Sequence, residues 1–318
     1  MEKVLFGKSG EWVSEFALGT MYMGSRISDK DSKDIMETYL DRGGNFIDTA
    51  NNYAHWLDGC VGTESESFLG RWLKESGKRH DIFLATKVGF NSKINQKGLS
   101  AKQIVESCEK SLTLMNTDYI DLLYAHTDDR VTPLEESMEA FDRLKRQGKI
   151  RFLGASNYTN WRFADAVDAC RKKGYIEFAC LQNRFTYLRP TPCTLDRFHI
   201  EINDDVQDFA CDRGIPLVAY SPLLQGYYTS FTKDTKGKEA VPPLYQGDFN
   251  QKRMDALKKT AAEIDGISMN QLVLLWMRRQ KAKIIPLISG SRPAQIVENL
   301  KATEFSLTEG QLDVLDNA

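Results

Sequence analysis

The feature that most constrains the fold of this chain is a repeated alternation of short apolar runs with longer amphipathic segments. Each run ends in turn or polar residues, as buried strands do. Eight runs occur in the 318 residues: FALGT, NFIDTA, IFLATKV, IDLLYAHT, IRFLGAS, FACLQ, PLVAYSP and IIPLIS. One run and the segment after it span about 30 to 40 residues, the size of a βα unit.

The segments between the runs have helical apolar spacing. We predict helices at 29–42, 63–76, 100–115, 133–147, 159–173, 203–213, about 250–281 and 293–303. Candidate start and stop signals are Asp29 and Ser100 as N-caps, Pro133 and Pro293 in first turns, and Gly43, Gly77, Gly148, Gly174 and Gly214 at helix ends.

Near-continuous apolar strands that alternate with helices predict a parallel sheet covered by those helices, and eight units are the number that closes a (β/α)₈ TIM barrel. An open doubly wound sheet is the alternative. It usually carries G-x-G-x-x-G after its first strand, a motif that is absent from this sequence. We therefore expect an α/β chain forming one barrel domain over 1–318.

Two additions to the barrel are predicted. Residues 3–13 read as an N-terminal β-hairpin around Gly7-Lys8-Ser9-Gly10 that could close the N-terminal mouth. Residues 224–249 form a long loop after the seventh strand, rich in Gly, Tyr, Pro and charge. Loops of this length are often functional lids.

Composition excludes several classes of function. The formal charge is −2 and basic residues are interspersed with acidic ones, so we expect neither a nucleic-acid nor a membrane partner. No signal-peptide pattern and no run of ~18 apolar residues occurs, which favours a cytoplasmic location. The six cysteines form no C-x-x-C pair and no cluster with metal-ligand spacing, so we expect reduced thiols and no metal.

Polar residues close several of the predicted strands. Asp48 follows NFI, Lys87 follows FLAT, His126 follows LLYA, and Ser156-Asn157 follows FLGA. The active sites of α/β barrels form where strands end, so these side chains should meet at one mouth. Tyr53 lies on the loop after Asp48 and should join them.

An acid, a tyrosine, a lysine and a histidine at one mouth indicate a proton relay. The Tyr53 hydroxyl would donate a proton to a carbonyl oxygen as hydride reaches the carbon. We expect Lys87, held by Asp48, to lower the pKa of Tyr53 from its usual value of about 10. His126 would orient the substrate oxygen and share its developing negative charge.

The chain resembles the aldo-keto reductase superfamily over essentially its whole length. The strings that carry the resemblance are LGTM at 18–21, NFIDTANNY at 45–53, TK at 86–87, DLLYAH at 121–126, GASN at 154–157, LQN at 181–183, YSPL at 220–223 and GSRPAQIVENL at 290–300. By this resemblance Asp48, Tyr53, Lys87 and His126 match the catalytic tetrad. It implies reduction of an aldehyde or ketone, such as a sugar or other hydroxylated carbonyl, to an alcohol with NADP(H).

The resemblance also implies a cofactor cleft. The positions that hydrogen-bond the nicotinamide carboxamide match Ser156, Asn157 and Gln182, and the ring that stacks on nicotinamide matches Tyr220. The pyrophosphate loop matches Ser221, Leu223 and Gly226, and the phosphate site matches Ser289, Gly290, Ser291 and Arg292. The adenosine end of the cleft matches Gln295, Glu298 and Asn299. We add Gly19, Thr20, Met21 and Asp48 to this set. NADP over NAD depends mainly on Arg292, because many relatives have a second basic residue where Gln295 stands.

Tyr22, Tyr53, Trp56 and His126 are the candidate substrate contacts, although ordinary packing explains Tyr22 and Trp56 equally well. The stretch AHWLDGCVGTESE after Tyr53 is longer than in many relatives and should border the substrate mouth. An alternative function is an NADP(H)-sensing regulatory subunit like the potassium-channel β subunits that resemble this family. A barrel lyase or isomerase without nicotinamide is a more remote alternative.

Overall fold

The eight predicted strands pair in parallel and close into a barrel in the computed structural model, which describes residues 1–191, 199–230 and 243–318. The barrel strands are β3 (Ala17–Gly19), β4 (Phe46–Asp48), β5 (Phe83–Val88), β6 (Ile120–Ala125), β7 (Ile150–Ser156), β8 (Phe178–Arg184), β9 (Leu217–Tyr220) and β10 (Ile284–Ile288). They follow one another around the barrel, and β10 pairs with both β9 and β3. The predicted TIM barrel is confirmed.

Helices connect the strands and cover the outside of the barrel. They are α1 (Asp29–Asp41), α2 (Glu64–Ser76), α3 (Ala101–Leu114), α4 (Leu134–Arg146), α5 (Asn160–Lys173), α6 (Asp204–Arg213), α7 (Tyr227–Ser230), α8 (Asp248–Ala262), α9 (Met269–Arg278), α10 (Pro293–Leu300) and α11 (Glu309–Asp316). Within the described ranges, no helix is both long and apolar enough to cross a bilayer.

Two predictions about the helices are wrong. The single helix expected over 250–281 is two helices, because Ser268 caps α9 and forms a capping box with Gln271. The N-cap of α1 is Ser28 instead of Asp29: the Ser28 side chain accepts a bond from the backbone N–H of Asp31. Ser100 caps α3 as predicted, again in a capping box.

The N-terminal hairpin closes the bottom of the barrel as predicted. Its strands β1 (Lys3–Leu5) and β2 (Trp12–Ser14) pair antiparallel. Phe6, between them, is fully buried against Phe46 and Phe83, with ring centroids 5.8 and 5.2 Å away. Those two rings are the first residues of β4 and β5, so the hairpin packs on the end of the barrel opposite the strand termini that carry the candidate site.

The long loop predicted over 224–249 lies partly outside the described residues, which omit 231–242. Its described parts are a 3-10 turn at Leu224–Gly226, the short helix α7, another 3-10 turn at Pro243–Tyr245, and the start of α8. One of the six cysteines predicted to be reduced thiols, Cys193, also lies outside the described residues.

The register of the barrel brings the predicted site residues to one end. Asp48 pairs with Gly19 of β3 and Ala85 of β5, and Ser156 pairs with Gln182 of β8. Gly19, Asp48 and Ser156 are the last residues of their strands, and Gln182 is two residues from the end of β8. Parallel pairing therefore places their side chains at one mouth of the barrel.

Candidate active site

Lys87 lies at the centre of the site and is fully buried. Its ammonium group donates to the Asp48 carboxylate, to the carbonyl oxygen of Thr49 at 2.8 Å and to the Tyr53 hydroxyl oxygen at 2.8 Å. An ammonium group has three protons to donate, so all of its bonding capacity is used. The arrangement holds a buried charge beside the tyrosine oxygen.

Asp48 is the second fixed element of the site. One carboxylate oxygen receives Lys87 and lies 3.4 Å from the Tyr53 hydroxyl; the other accepts a bond from the side-chain amide of Gln182 at 2.8 Å. Breaking a buried ion pair is costly, because the remaining charge has no water to solvate it. Asp48 thus favours the charged form of Lys87 and holds its ammonium group in place.

The prediction that the pKa of Tyr53 is lowered is wrong, because burial and the nearby Asp48 charge outweigh the effect of the Lys87 ammonium. Burial raises the pKa of Tyr53 well above its usual value, and the nearby Asp48 charge raises it further. Burial also lowers the pKa of Lys87, although Asp48 opposes that effect. Tyr53 is therefore protonated at neutral pH, which is the state that a proton donor needs.

His126 lies beside Tyr53, with ring centroids 6.1 Å apart in an edge-to-face arrangement. Burial lowers the pKa of His126 well below its usual value, and the charge of Lys87 adds to this effect. The imidazole is consequently neutral near pH 7. Its Nδ1 is buried and has no hydrogen-bond partner in the described structure.

The residues predicted to bind nicotinamide form a connected network. The Tyr220 hydroxyl donates to the Asn157 side-chain oxygen at 2.7 Å, and the Asn157 amide group donates to the backbone carbonyl of His126 at 3.0 Å and to the Ser156 hydroxyl at 3.2 Å. Asn157 has a φ of 58°, a conformation uncommon for residues other than glycine. The network connects the expected nicotinamide site to the backbone of His126.

The turn after β9 was predicted to meet the pyrophosphate and has an unusual backbone. Ser221, Leu224 and Gln225 have φ values of 55°, 46° and 58°, and Gly226 follows with 86°. Leu223 within this turn is buried. Turns with αR and left-handed residues in succession can direct backbone N–H groups at an anion, and such strained conformations concentrate at functional positions.

The start of α10 has the donors that a phosphate needs. The backbone N–H groups of Ser291 and Arg292 and the Ser291 hydroxyl all point to one side-chain oxygen of Gln295, at 2.7, 3.2 and 3.2 Å. Arg292 is exposed and pairs with no acidic side chain of the described residues. A phosphate could replace the neutral amide oxygen of Gln295 and add a charge partner for Arg292, so these residues fit the adenosine phosphate of NADP.

Other predicted cofactor residues have contacts within the protein. The Asn299 side chain donates to the backbone carbonyl of Ser289 at 3.4 Å, and Glu298 accepts from the Ser268 hydroxyl at 2.8 Å. Gly290 packs closely, since a Cβ there would lie 3.0 Å from the Gln295 side chain. These contacts shape the loop between β10 and α10.

At the end of β3, Gly19 pairs with Asp48, and Met21 is half-buried. Thr20 is fully buried, and its hydroxyl bonds the backbone oxygen of Asp48 at 3.1 Å and the Ser65 hydroxyl at 2.8 Å. The Thr20 side chain therefore anchors the site backbone.

Tyr22 and Trp56, two of the four predicted substrate contacts, meet edge-to-face with centroids 6.4 Å apart. Sequence analysis missed Phe90, whose ring lies edge-to-face on His126 at 4.8 Å. Phe90 comes shortly after β5, on a loop at the same mouth, and this position was the available signal.

Comparison with known proteins identifies the family. The sequence model of the Aldo/keto reductase family matches residues 15–318, so the chain belongs to this family of oxidoreductases, which act on carbonyl groups and generally use a nicotinamide cofactor. Among the described residues, no group of His, Cys, Asp and Glu has the arrangement of a metal site.

Individual relatives match this chain over nearly its whole length. The chain is 29% identical to the uncharacterized oxidoreductase YrpG of Bacillus subtilis (strain 168), covering 100% of this chain and 95% of the relative. It is 26% identical to an aryl-alcohol dehydrogenase of Pestalotiopsis microspora, over 93% of this chain and 76% of the relative. A solved thermostable aldo-keto reductase in complex with the inhibitor epalrestat superimposes with a TM-score of 0.76 at 26% identity, covering 100% of this chain and 99% of the other.

Proposed function

We propose that this chain is an NADP(H)-dependent reductase of aldehydes or ketones, with Tyr53 as the general acid. The observation that carries the proposal is the Tyr53 hydroxyl oxygen 2.8 Å from the buried Lys87 ammonium, which Asp48 holds in place. Aromatic carbonyls belong in the substrate set because relatives include an aryl-alcohol dehydrogenase and the norsolorinic acid reductase of Aspergillus flavus, 26% identical over 99% of this chain and 80% of the relative.

Lys87 and Tyr53 divide the proton chemistry. Lys87 donates to the tyrosine oxygen, which leaves the O–H of Tyr53 to point elsewhere: to Asp48 at 3.4 Å here, and to a carbonyl oxygen when substrate is present. As that proton leaves, the ammonium stabilises the phenolate that forms. The phenolate then recovers a proton from solvent.

Bound NADPH would supply the hydride to the carbonyl carbon, which completes the reduction to an alcohol together with the Tyr53 proton. His126 is neutral, so an imidazole N–H can donate to the carbonyl oxygen without adding a competing acid. Its ring is fixed between Tyr53 and Phe90. These contacts support a role in orienting the carbonyl.

The residues that would hold the cofactor lie in the turn after β9 (221–226), at the start of α10 (289–292) and in the hydrogen-bonded network of Tyr220 and Asn157. Arg292 supports NADP over NAD, because a guanidinium pairs with a phosphate in bidentate fashion and has no competing carboxylate in the described structure.

We also propose that the chain forms one domain over 1–318 and acts on a small molecule. The five described cysteines are unpaired, which supports the cytoplasmic location.

The test is an assay of NADPH oxidation with a panel of aromatic, aliphatic and sugar carbonyls, comparing the protein with Tyr53→Phe. We expect the variant to lose about 10² to 10⁴ in kcat, the usual value of a positioned general acid, while fluorescence titration shows unchanged NADPH binding. Turnover equal to that of the parent would exclude Tyr53 as the acid. Tight NADPH binding without turnover of any carbonyl would instead favour a nucleotide-sensing subunit.

A further inference from the structure

Aromatic side chains form two edge-to-face pairs at the mouth of the barrel. Tyr22, after β3, meets Trp56, after β4, and Trp56 is 48% exposed. Phe90, after β5, packs on His126. Both pairs lie on loops at the end of the barrel that carries Tyr53. Flat rings of this kind favour a substrate that presents an aromatic face next to its carbonyl group.

A cation lies over the ring of Tyr22. The guanidinium of Arg26 is 4.9 Å from the centre of the Tyr22 ring and is solvent-exposed. None of the described acidic residues forms an ion pair with it; Asp29, three positions along the chain, is bonded to Arg71 at 2.8 Å instead. Arg26 therefore presents an uncompensated positive charge beside an aromatic surface.

The loop that carries Arg26 is held in a defined position relative to the site. Ile27 and Ser25 donate their backbone N–H groups to the carbonyl oxygen of Tyr22 at 3.0 and 3.2 Å. Gly24 has a φ of 72°, and a Cβ there would lie 2.6 Å from the backbone oxygen of Glu64 in α2, so the loop packs tightly on that helix. Arg26 therefore lies on a turn whose backbone is fixed by hydrogen bonds and by packing on α2.

We propose that Arg26 is a specificity residue that selects aromatic carbonyl substrates bearing an anionic group, such as a carboxylate, at the end remote from the carbonyl. The aromatic pairs would hold the ring, and the guanidinium would pair with the carboxylate at the rim. This inference rests on the proposed reductase function and adds the charge of the substrate to it. Because Arg26 is exposed, the effect is modest in size and weakened by salt.

The experiment uses two anionic aldehydes of different length, 4-formylbenzoate and 4-(4-formylphenyl)benzoate, and the methyl ester of each. The measured quantity is the ratio of kcat/KM for the acid to that for its ester, with NADPH. Comparing this ratio between variants cancels the different intrinsic reactivities of the two aldehydes. We expect Arg26→Gln to lower the ratio about threefold to tenfold for at least one length, the range of a partly exposed charge-assisted contact.

Two further variants make the test specific. Arg26→Lys retains the charge without the fork of donors and should keep part of the ratio. Arg42→Gln removes the same charge from an exposed arginine at the far end of α1 and should leave the ratio unchanged. In the parent protein the ratio should also fall between 0.05 and 0.5 M NaCl, values chosen so that the screening length drops from about 14 to about 4 Å.

Several results would overturn the inference. A ratio that stays the same in Arg26→Gln for both lengths, or that falls equally in Arg42→Gln, shows that Arg26 does not recognise the anion. If the parent reduces the esters but not the acids, the reductase function stands and the inference fails. If it reduces neither esters nor acids nor any other carbonyl, both fail.

Discussion

The two ends of the proposed cofactor cleft are built in opposite ways. Around Lys87 every charge is buried and bonded: the ammonium has three acceptors and the Asp48 carboxylate also receives Gln182. Around Arg292 the side chains are exposed, and the backbone donors of the helix start are bonded to a neutral amide of Gln295. The Lys87 end is therefore fixed before any ligand binds. At the Arg292 end, a ligand can displace the Gln295 side chain and take its hydrogen bonds.

This contrast predicts how each end responds to mutation. A buried, fully bonded group loses both its chemistry and its structural role when it is changed, because its partners stay behind without water. An exposed donor set loses only the net contact with its ligand. The catalytic end should therefore show large effects on kcat and on stability, and the phosphate end smaller effects confined to nucleotide binding.

The largest expected effect comes from Lys87→Met. It removes the charge that stabilises the Tyr53 phenolate, so kcat for carbonyl reduction should fall about 10² to 10⁴-fold. It also leaves Asp48 buried without its cation, at a cost on the order of 3 to 5 kcal/mol in the free energy of unfolding. Steady-state kinetics and urea unfolding measure the two effects.

The double variant Asp48→Asn, Lys87→Met is the matched control. It removes both charges, so it should recover much of the lost stability but none of the activity. Recovery of activity in the double variant, or a single variant within tenfold of the parent kcat, would contradict the picture of a charged lysine acting on Tyr53.

The sequence predicted which residues meet in this site, but not the properties that depend on contacts with distant parts of the chain. Asp48, Lys87 and His126 could be placed together because strand ends in a parallel barrel meet at one mouth. The pKa direction of Tyr53 could not be predicted, since it depends on complete burial by distant segments. Phe90 was missed because a loop residue has no periodic pattern that fixes where its ring points.

The helices show the same limit at shorter range. The break between α8 and α9 was visible in principle as the capping box of Ser268 and Gln271, but apolar spacing continues on both sides and hides it. At α1, Ser28 and Asp29 are adjacent residues of types that both cap helices well, so only the observed bond to Asp31 distinguishes them. Local signals thus locate elements but not their ends.

A smaller effect is expected at the phosphate end. Arg292→Ala should raise the KM for NADPH about tenfold, the value of one charge-assisted contact, with kcat changed less than about twofold. The KM for NADH should hardly change, because NADH lacks the extra phosphate. An equal rise for both nucleotides would place Arg292 away from that phosphate, and Arg42→Ala serves as the control for overall charge.

The smallest effect is expected from pH, and it distinguishes the two ends in one experiment. Because the pKa of Tyr53 is raised and that of His126 is lowered, Tyr53 stays protonated and His126 stays neutral from pH 6 to 8. The kcat for reduction should then vary by less than about twofold over this range. A phosphate monoester loses its second proton near pH ~6, so the KM for NADPH, but not for NADH, should rise as the pH falls towards 6. A tenfold change in kcat with a midpoint inside this range would mean that Tyr53 or His126 titrates there, and that the catalytic end is less shielded than its bonds and burial imply.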